Sequence, residues 1–171
     1  MHTNLQRLSV IDGTWQELVN QWQAQCSDFE ENFEDYRAST IGSLEKVANS
    51  NNENRGAFGL RGSDGVFLAV CFLNLTVQKG FDGAVLRVLD LIVAPRYDFQ
   101  ALELADYSSL LAALLARIYE KSNTTMLSRH IKLHFPSPTD VALIAPFGTQ
   151  FADNERVVVQ TQGMWLSITK N

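Results

Sequence analysis

AVLRVLDLIVAP (residues 84–95), SSLLAALLARIYEK (108–121) and RHIKLHF (129–135), each separated from the next by a polar segment, decide the reading of this chain. The first piece is apolar from Ala84 to Val93 except for Arg87 and Asp90, the pattern of a strand covered on both faces. Pro95 stops it, because proline has no N–H to donate to a ladder. The second piece places Leu110, Leu111, Leu114, Leu115 and Ile118 on one helical face. The third alternates Ile131, Leu133 and Phe135 with His130, Lys132 and His134, as a strand does. Strand, helix and strand in this order predict a parallel βαβ crossover, which is right-handed in nearly all proteins. Asp90, a carboxylate near the exit of a buried strand, is the leading candidate for chemistry. The connection that follows is where a ligand would lie.

Upstream, Leu8, Val10 and Ile11 read as a short first strand. Thr14 opens a helix, with Glu17 placed to close a capping box. Trp15, Leu18, Val19, Trp22 and Cys26 form its apolar stripe, and Phe29, Phe33 and Tyr36 continue at helical intervals. Ser39 to Ala48 reads as a second helix, and NSNNEN (49–54) as a loop. GAFGLR, the turn GSDG (62–65) and VFLAVCFLNLTV predict a hairpin. QKGFDG (78–83) returns the chain into the Ala84 strand, so three strands form an antiparallel meander. Downstream, Ser137-Pro138-Thr139-Asp140 starts a short helix ending near Pro146, and RVVVQTQGMWLSITK closes the chain as a hairpin turning at Gln162-Gly163. No repeat or linker divides the 171 residues, so one domain over 1–171 is expected.

Composition narrows the function classes. At 46% hydrophobic and 19% charged the chain is of globular type. A net charge of −5 without a dense Lys/Arg cluster argues against nucleic acid. Cys26 and Cys71 lie far apart in apolar settings and read as reduced buried thiols, with no CxxC pair to suggest a metal. MHTNLQRLSVIDG lacks the core of a signal peptide, and the longest apolar run, Val66 to Leu73, is too short to cross a membrane. The expectation is a cytoplasmic protein with no membrane partner and no metal. A homodimer is left open.

The order strand, two helices, three antiparallel strands, helix, strand, helix, two strands resembles the GNAT family of acyl-CoA-dependent N-acetyltransferases over essentially the whole chain. LDLIVAPRY (89–97) is similar to the family's fourth strand with its Val-x-Pro-x-Tyr exit, and IKLHFPSPTDVALIAPFG (131–148) to its fifth strand and fourth helix. The resemblance implies an α+β fold: one mixed sheet of six or seven strands, with helices on both faces, splaying open between the fourth and fifth strands. It implies acetyl-CoA or another acyl-CoA as co-substrate, its pantetheine arm in that splay beside Leu91, Ile92 and Val93. The pyrophosphate would then lie on backbone N–H groups near Arg96, Ala101 and the next helix start.

The family's phosphate loop reads Gln/Arg-x-x-Gly-x-Gly/Ala, since glycines let the backbone approach the phosphates. Here Asp98-Phe99-Gln100-Ala101-Leu102-Glu103 stands in that place with neither glycine. Asp98, Glu103 and Asp106 against Arg96 alone would repel a polyanion. Ser108 and Ser109 offer a second anion site if they cap the following helix, although ordinary capping is serine's commoner role there. ALIAPFG (142–148) lacks the tyrosine that family members use to protonate the departing thiolate. Tyr107, in the predicted loop before the helix, is the substitute candidate. Asp90 matches an acidic position on the family's fourth strand and would act as general base. Sharing a strand face with Leu86, Val88 and Ile92, its apolar setting would raise its pKa. Otherwise it is an acid satisfied by Arg87, Arg61 or a nearby N–H.

His130 and His134 stand four apart on a strand, about 13 Å, too far to share a metal, and with Lys132 they read as a solvated face. Asp28, Glu30, Glu31, Glu34 and Asp35 are a solvated run, or draw a cationic amine to the neighbouring acceptor site. Two functions follow. One is an acyl-CoA-dependent N-acyltransferase acting on an unidentified small-molecule or peptide amine by direct attack. The other is a catalytically inactive GNAT-fold binding or regulatory module that no longer takes acyl-CoA.

Overall fold

A computed structural model describes residues 2–101, 103–135 and 157–171. In order these form β1 (Thr3–Arg7), α1 (Thr14–Asp28), α2 (Phe33–Ser39), α3 (Gly42–Ala48), β2 (Arg55–Gly62), β3 (Phe67–Val77), β4 (Ala84–Val93), α4 (Pro95–Phe99), α5 (Leu104–Lys121), β5 (His130–His134), β6 (Val157–Gln162) and β7 (Trp165–Lys170). The seven strands make one mixed sheet in the order β1-β2-β3-β4-β5-β7-β6. The fold is α+β, with helices on both faces. The helix expected from Ser137 to Pro146 lies outside the described residues.

The crossover stands as predicted: β4 and β5 run parallel, pairing from Val85–His130 to Val88–Leu133. On one face α5 brings Leu110, Leu111, Leu114, Leu115 and Ile118 onto Leu86, Val88, Ile131 and Leu133. Each such side chain contributes about 1.5–3 kcal/mol on leaving water. On the other face Trp15, Leu18, Trp22 and Cys26 of α1 join Phe33, Tyr36, Ile41 and Leu44 over Ala57, Phe67 and Val70. Trp22 is wholly buried, and its indole N–H donates to the Phe67 carbonyl at 3.0 Å. The two free cysteines are both buried; burial pushes the Cys71 thiol up to about 12 and raises that of Cys26. Among the described residues, no helix is long and apolar enough to cross a membrane.

Several local expectations are corrected. The first strand is Thr3–Arg7; Val10 and Ile11 lie beyond it, 41% and 75% exposed. The capping box at Thr14 does not form. Gly13 in the left-handed region is the N-cap, Asp12 takes the Thr14 N–H and hydroxyl, and Glu17 pairs with Arg61 instead. The helical run expected to continue through Phe29, Phe33 and Tyr36 is broken after Asp28, because Glu30 turns through positive φ and Asn32 caps α2 by accepting the Asp35 N–H. The helix expected from Ser39 starts at Gly42, as Ser39 ends α2. His130 does not line a solvated face. It is 8% exposed, donates from Nε2 to the Asp82 carbonyl at 2.9 Å and meets the Thr169 hydroxyl through Nδ1 at 3.0 Å. A carbonyl can only accept, which places the proton on Nε2.

Candidate functional site

The exit of β4 is shaped by a bulge. Val70 pairs with Ile92 and Phe72 with Leu89, so Cys71 alone stands opposite both Asp90 and Leu91. One extra residue reverses the alternation of every residue beyond it. Leu86 and Val88 face the α5 core before the bulge, whereas Leu91 and Val93 face it afterwards and Ile92 turns to the α1–α3 side. Asp90 sits in the bulge at φ +47°, a left-handed conformation few side chains adopt. The bulge corrects its expected setting. Asp90 does not lie among Leu86, Val88 and Ile92 on an apolar face; it is exposed. Neither arginine satisfies it: Arg61 pairs with Glu17, and Arg87 stacks on Trp165 with its guanidinium carbon 5.4 Å from the ring centre. Among the described residues the Asp90 carboxylate has no hydrogen-bond partner.

Beyond Val88 and Leu133 the pairing between β4 and β5 stops, although β4 runs on to Val93 and β5 to His134. A pocket of about 340 Å³ opens there, lined by Asp90, Leu91, Ile92, His134, Ser39, Thr40 and Ser43. The Ser39 and Thr40 hydroxyls are turned back to close the end of α2. Ser39 donates to the Asp35 and Tyr36 carbonyls, both at 3.0 Å, and Thr40 to the Tyr36 carbonyl at 2.6 Å. Ser39 and Thr40 also border a second pocket of about 330 Å³ whose rim carries Glu31, Asp35 and Asp98 beside Tyr36 and Phe99.

Tyr36 ties these elements together. Its hydroxyl lies 2.9 Å from the Val93 carbonyl and 3.0 Å from Asp98 Oδ2. Tyr36 carries one O–H proton for these two acceptors, so it is shared between the Val93 carbonyl and the Asp98 carboxylate. Burial pushes the Asp98 carboxyl up, against the lowering effect of the Tyr36 hydrogen bond, and burial with the neighbouring Asp98 drives the Tyr36 hydroxyl far above its usual value. Asp98 is exposed as a residue, and the burial acts on the carboxyl end that meets Tyr36. Val93, 7% exposed and paired with Ala69, therefore supports the wall, while Leu91 and Ile92 border the space itself.

The connection after Pro95 differs from its sequence reading. Arg96 to Ser109 is not a continuous loop: α4 occupies its first part, and α5 begins at Leu104, four residues before Ser108. Ser108 and Ser109 therefore sit inside α5 and do not cap it; the Ser109 hydroxyl donates to the Ala105 carbonyl at 2.8 Å. Tyr107 is likewise helical, not in a loop, and packs against the α5 core. Glu103 is the N-cap and makes no side-chain cap bond, with Asp106 in the first turn. Arg96 gives its backbone N–H to Gln25 Oε1 at 3.2 Å and lays its guanidinium over Tyr97, 5.2 Å from the ring centre. Ala101 is exposed between α4 and α5. Beyond Val88 the two strands thus part, while the start of α5 carries no glycine and two acids, Glu103 and Asp106.

Ser39, Thr40, Ser43 and His134 line the pocket without having been singled out as a site in the sequence. His134 carried one legible signal, its place at the end of the strand next to the crossover. The three hydroxyl residues carried none, because only the packing of α2 and α3 over β3 brings them to the β4 exit. Among the described residues no group of acids, histidines and cysteines is arranged to hold a metal.

No family model matches the sequence, and no curated protein matches it. Solved structures do. A probable acetyltransferase from Staphylococcus epidermidis is 11% identical, with 98% of this chain and 96% of the other superposed at a TM-score of 0.52. A spermidine N-acetyltransferase chimera built from Vibrio cholerae SpeG and hSSAT is 15% identical, with 99% and 93% covered at a TM-score of 0.50. Identities this low speak for architecture alone. The bulged β4, the parallel β4–β5 pair that parts beyond Val88 and the seven-stranded mixed sheet make this chain a protein of the GNAT, or acyl-CoA N-acyltransferase, fold.

Proposed function

We propose that residues 1–171 form a single acyl-CoA-dependent N-acyltransferase unit acting on an amine by direct attack. The observation that carries this reading is the opening at the β4 exit: pairing with β5 ends at Val88–Leu133, and a pocket containing Asp90 and His134 lies beyond it. An acyl thioester threaded along the open edge of β4 would be held by Leu91, Ile92 and Val93, and the backbone N–H groups near Val93 that point away from β3 receive the developing oxyanion. The acceptor enters from the α2–α3 side, past Ser39, Thr40 and Ser43. The amine attacks the carbonyl carbon, a C–N bond forms, the C–S bond breaks, and Asp90 takes a proton from the nitrogen. Asp90 acts on an amine already delivered in neutral form, directly or through one water. Arg96 and Ala101 border the way towards the pyrophosphate, and the thiolate takes its proton from solvent.

The second reading, a GNAT-fold binding or regulatory module, is favoured by the start of α5, where Glu103 and Asp106 replace a glycine cradle. One experiment separates the two. Purified protein is incubated with acetyl-CoA and longer acyl-CoAs over a panel of amines, with thermal shift and thiol release read together. Amine-dependent thiol release supports the transferase. Neither a thermal shift nor thiol release with any acyl-CoA sinks it and leaves the binding module.

A further inference from the structure

Next to the pocket, the sheet face formed by β4, β5 and β7 carries charge that the transferase reading does not use. Arg87 and Lys132 stand directly opposite each other across the parallel pair, and both reach towards Trp165. The Arg87 guanidinium carbon lies 5.4 Å and the Lys132 ammonium 4.8 Å from the indole centre. Trp165 in turn pairs with His134 in the β5–β7 register, their rings 4.7 Å apart, and His134 lines the pocket with Asp90. All four side chains are half-buried. Among the described residues the ion pairs involve Arg37, Arg61, Arg117 and Arg129, and neither Arg87 nor Lys132 has a carboxylate partner. In a chain of net charge −5, two adjacent cations held on one indole, with no carboxylate partner among the described residues, form a preorganised anion receptor.

We propose that this face binds a carboxylate carried by the acceptor, so that the substrate is an amine with an anionic group at its far end. The inference rests on the transferase reading and names its acceptor class. Charge is divided along the site to match: Asp90 and Asp35 stand where the amine enters, and Arg87 with Lys132 further back along β4 and β5. Arg87 precedes Asp90 by three residues, about 10 Å along a strand. That separation suits an ω-amino acid or a peptide-like amine better than an α-amino acid, whose two charges are adjacent. A diamine would meet Arg87 and Lys132 with a like charge and be rejected.

The test uses ω-amino acids of increasing chain length and the amino alcohols of the same length, which differ only in the anion. Binding is read by calorimetry without acyl-CoA, and turnover by thiol release. The unmodified protein should favour the acid over the alcohol by about tenfold or more at one chain length, the usual scale of a charge-assisted pair. In Arg87→Gln/Lys132→Gln that preference should fall to near unity, and Lys132→Glu should reverse it. If the double variant fails to fold, the single Lys132→Gln must still lower the ratio. Equal binding of acid and alcohol by the unmodified protein overturns the inference, as does a preference that survives both substitutions. If acids bind selectively but no amine is acylated, the transferase reading falls and the anion-binding face stands.

Discussion

Asp90→Gly should stabilise this protein while abolishing the proton acceptance proposed for its pocket, and the opposed signs make the substitution informative. Asp90 is held at φ +47°. A left-handed conformation costs an L-residue about 1–2 kcal/mol, with aspartate at the tolerant end. Glycine removes that cost but brings back about 0.5–1 kcal/mol of unfolded-chain entropy. The net gain is about 0.5–1 kcal/mol. For a domain of this length, roughly 2–4 °C per kcal/mol gives a Tm rise of about 1–4 °C. The carboxylate itself makes no hydrogen bond among the described residues and is exposed, so Asp90→Asn should leave Tm nearly unchanged. Asn also tolerates positive φ, which makes it the control for charge alone. In thiol-release assays both variants should lose about 10²–10⁴ in kcat. A lower Tm for the glycine variant would refute the strain assigned to the bulge. Undiminished turnover in both variants would refute Asp90 as base while leaving the strain intact. Among the described residues no contact of the Asp90 side chain offsets that strain.

Glu103→Gln with Asp106→Asn should tighten acyl-CoA binding, and more so at low salt, where the two acids at the start of α5 are less screened from a polyanion; equal affinities by calorimetry at two ionic strengths would place the phosphates elsewhere. Asp98→Asn should raise Tm at pH 7 by the equivalent of about 0.5–1.5 kcal/mol, because its amide donates to Tyr36 while Tyr36 donates to Val93. The folded-state pKa of Asp98 is raised, so its contribution to stability is fully present below the ordinary carboxylate range and is lost as pH rises through the raised value. The Asn variant should flatten that arm of the Tm–pH curve, and a fall in Tm at pH 7 would refute the competition of two acceptors for the Tyr36 proton.

Local pattern was enough for most of the architecture. Continuous apolar runs with turn residues between them marked β2, β3 and β4, the spacing of Leu110, Leu114 and Ile118 marked α5, and the alternation of Ile131 and Leu133 marked β5. Chirality then left one arrangement for β4, α5 and β5. These features depend on neighbours within a few residues and are written directly in the chain. Capping was less legible, because Thr14 and Glu17 fit a capping box in sequence, yet Arg61, distant in the chain, takes Glu17.

The site itself was decided by tertiary structure. Strict alternation puts Asp90 on the face of Leu86 and Val88, and no residue between Ala84 and Val93 announces a bulge. The extra residue arises because β4 must pair with β3 along its whole length while burying Leu91 and Val93 against α5. That competition between two surfaces turns Asp90 outward. The same holds for Ser39, Thr40 and Ser43, carried to the pocket by helix packing, and for Arg87 and Lys132, which meet only because β4 and β5 pair in one register and β7 delivers Trp165 beside them. Sequence specifies elements through short-range sterics and hydrophobic periodicity. Which side chains share a cavity depends on long-range register, which no local pattern encodes.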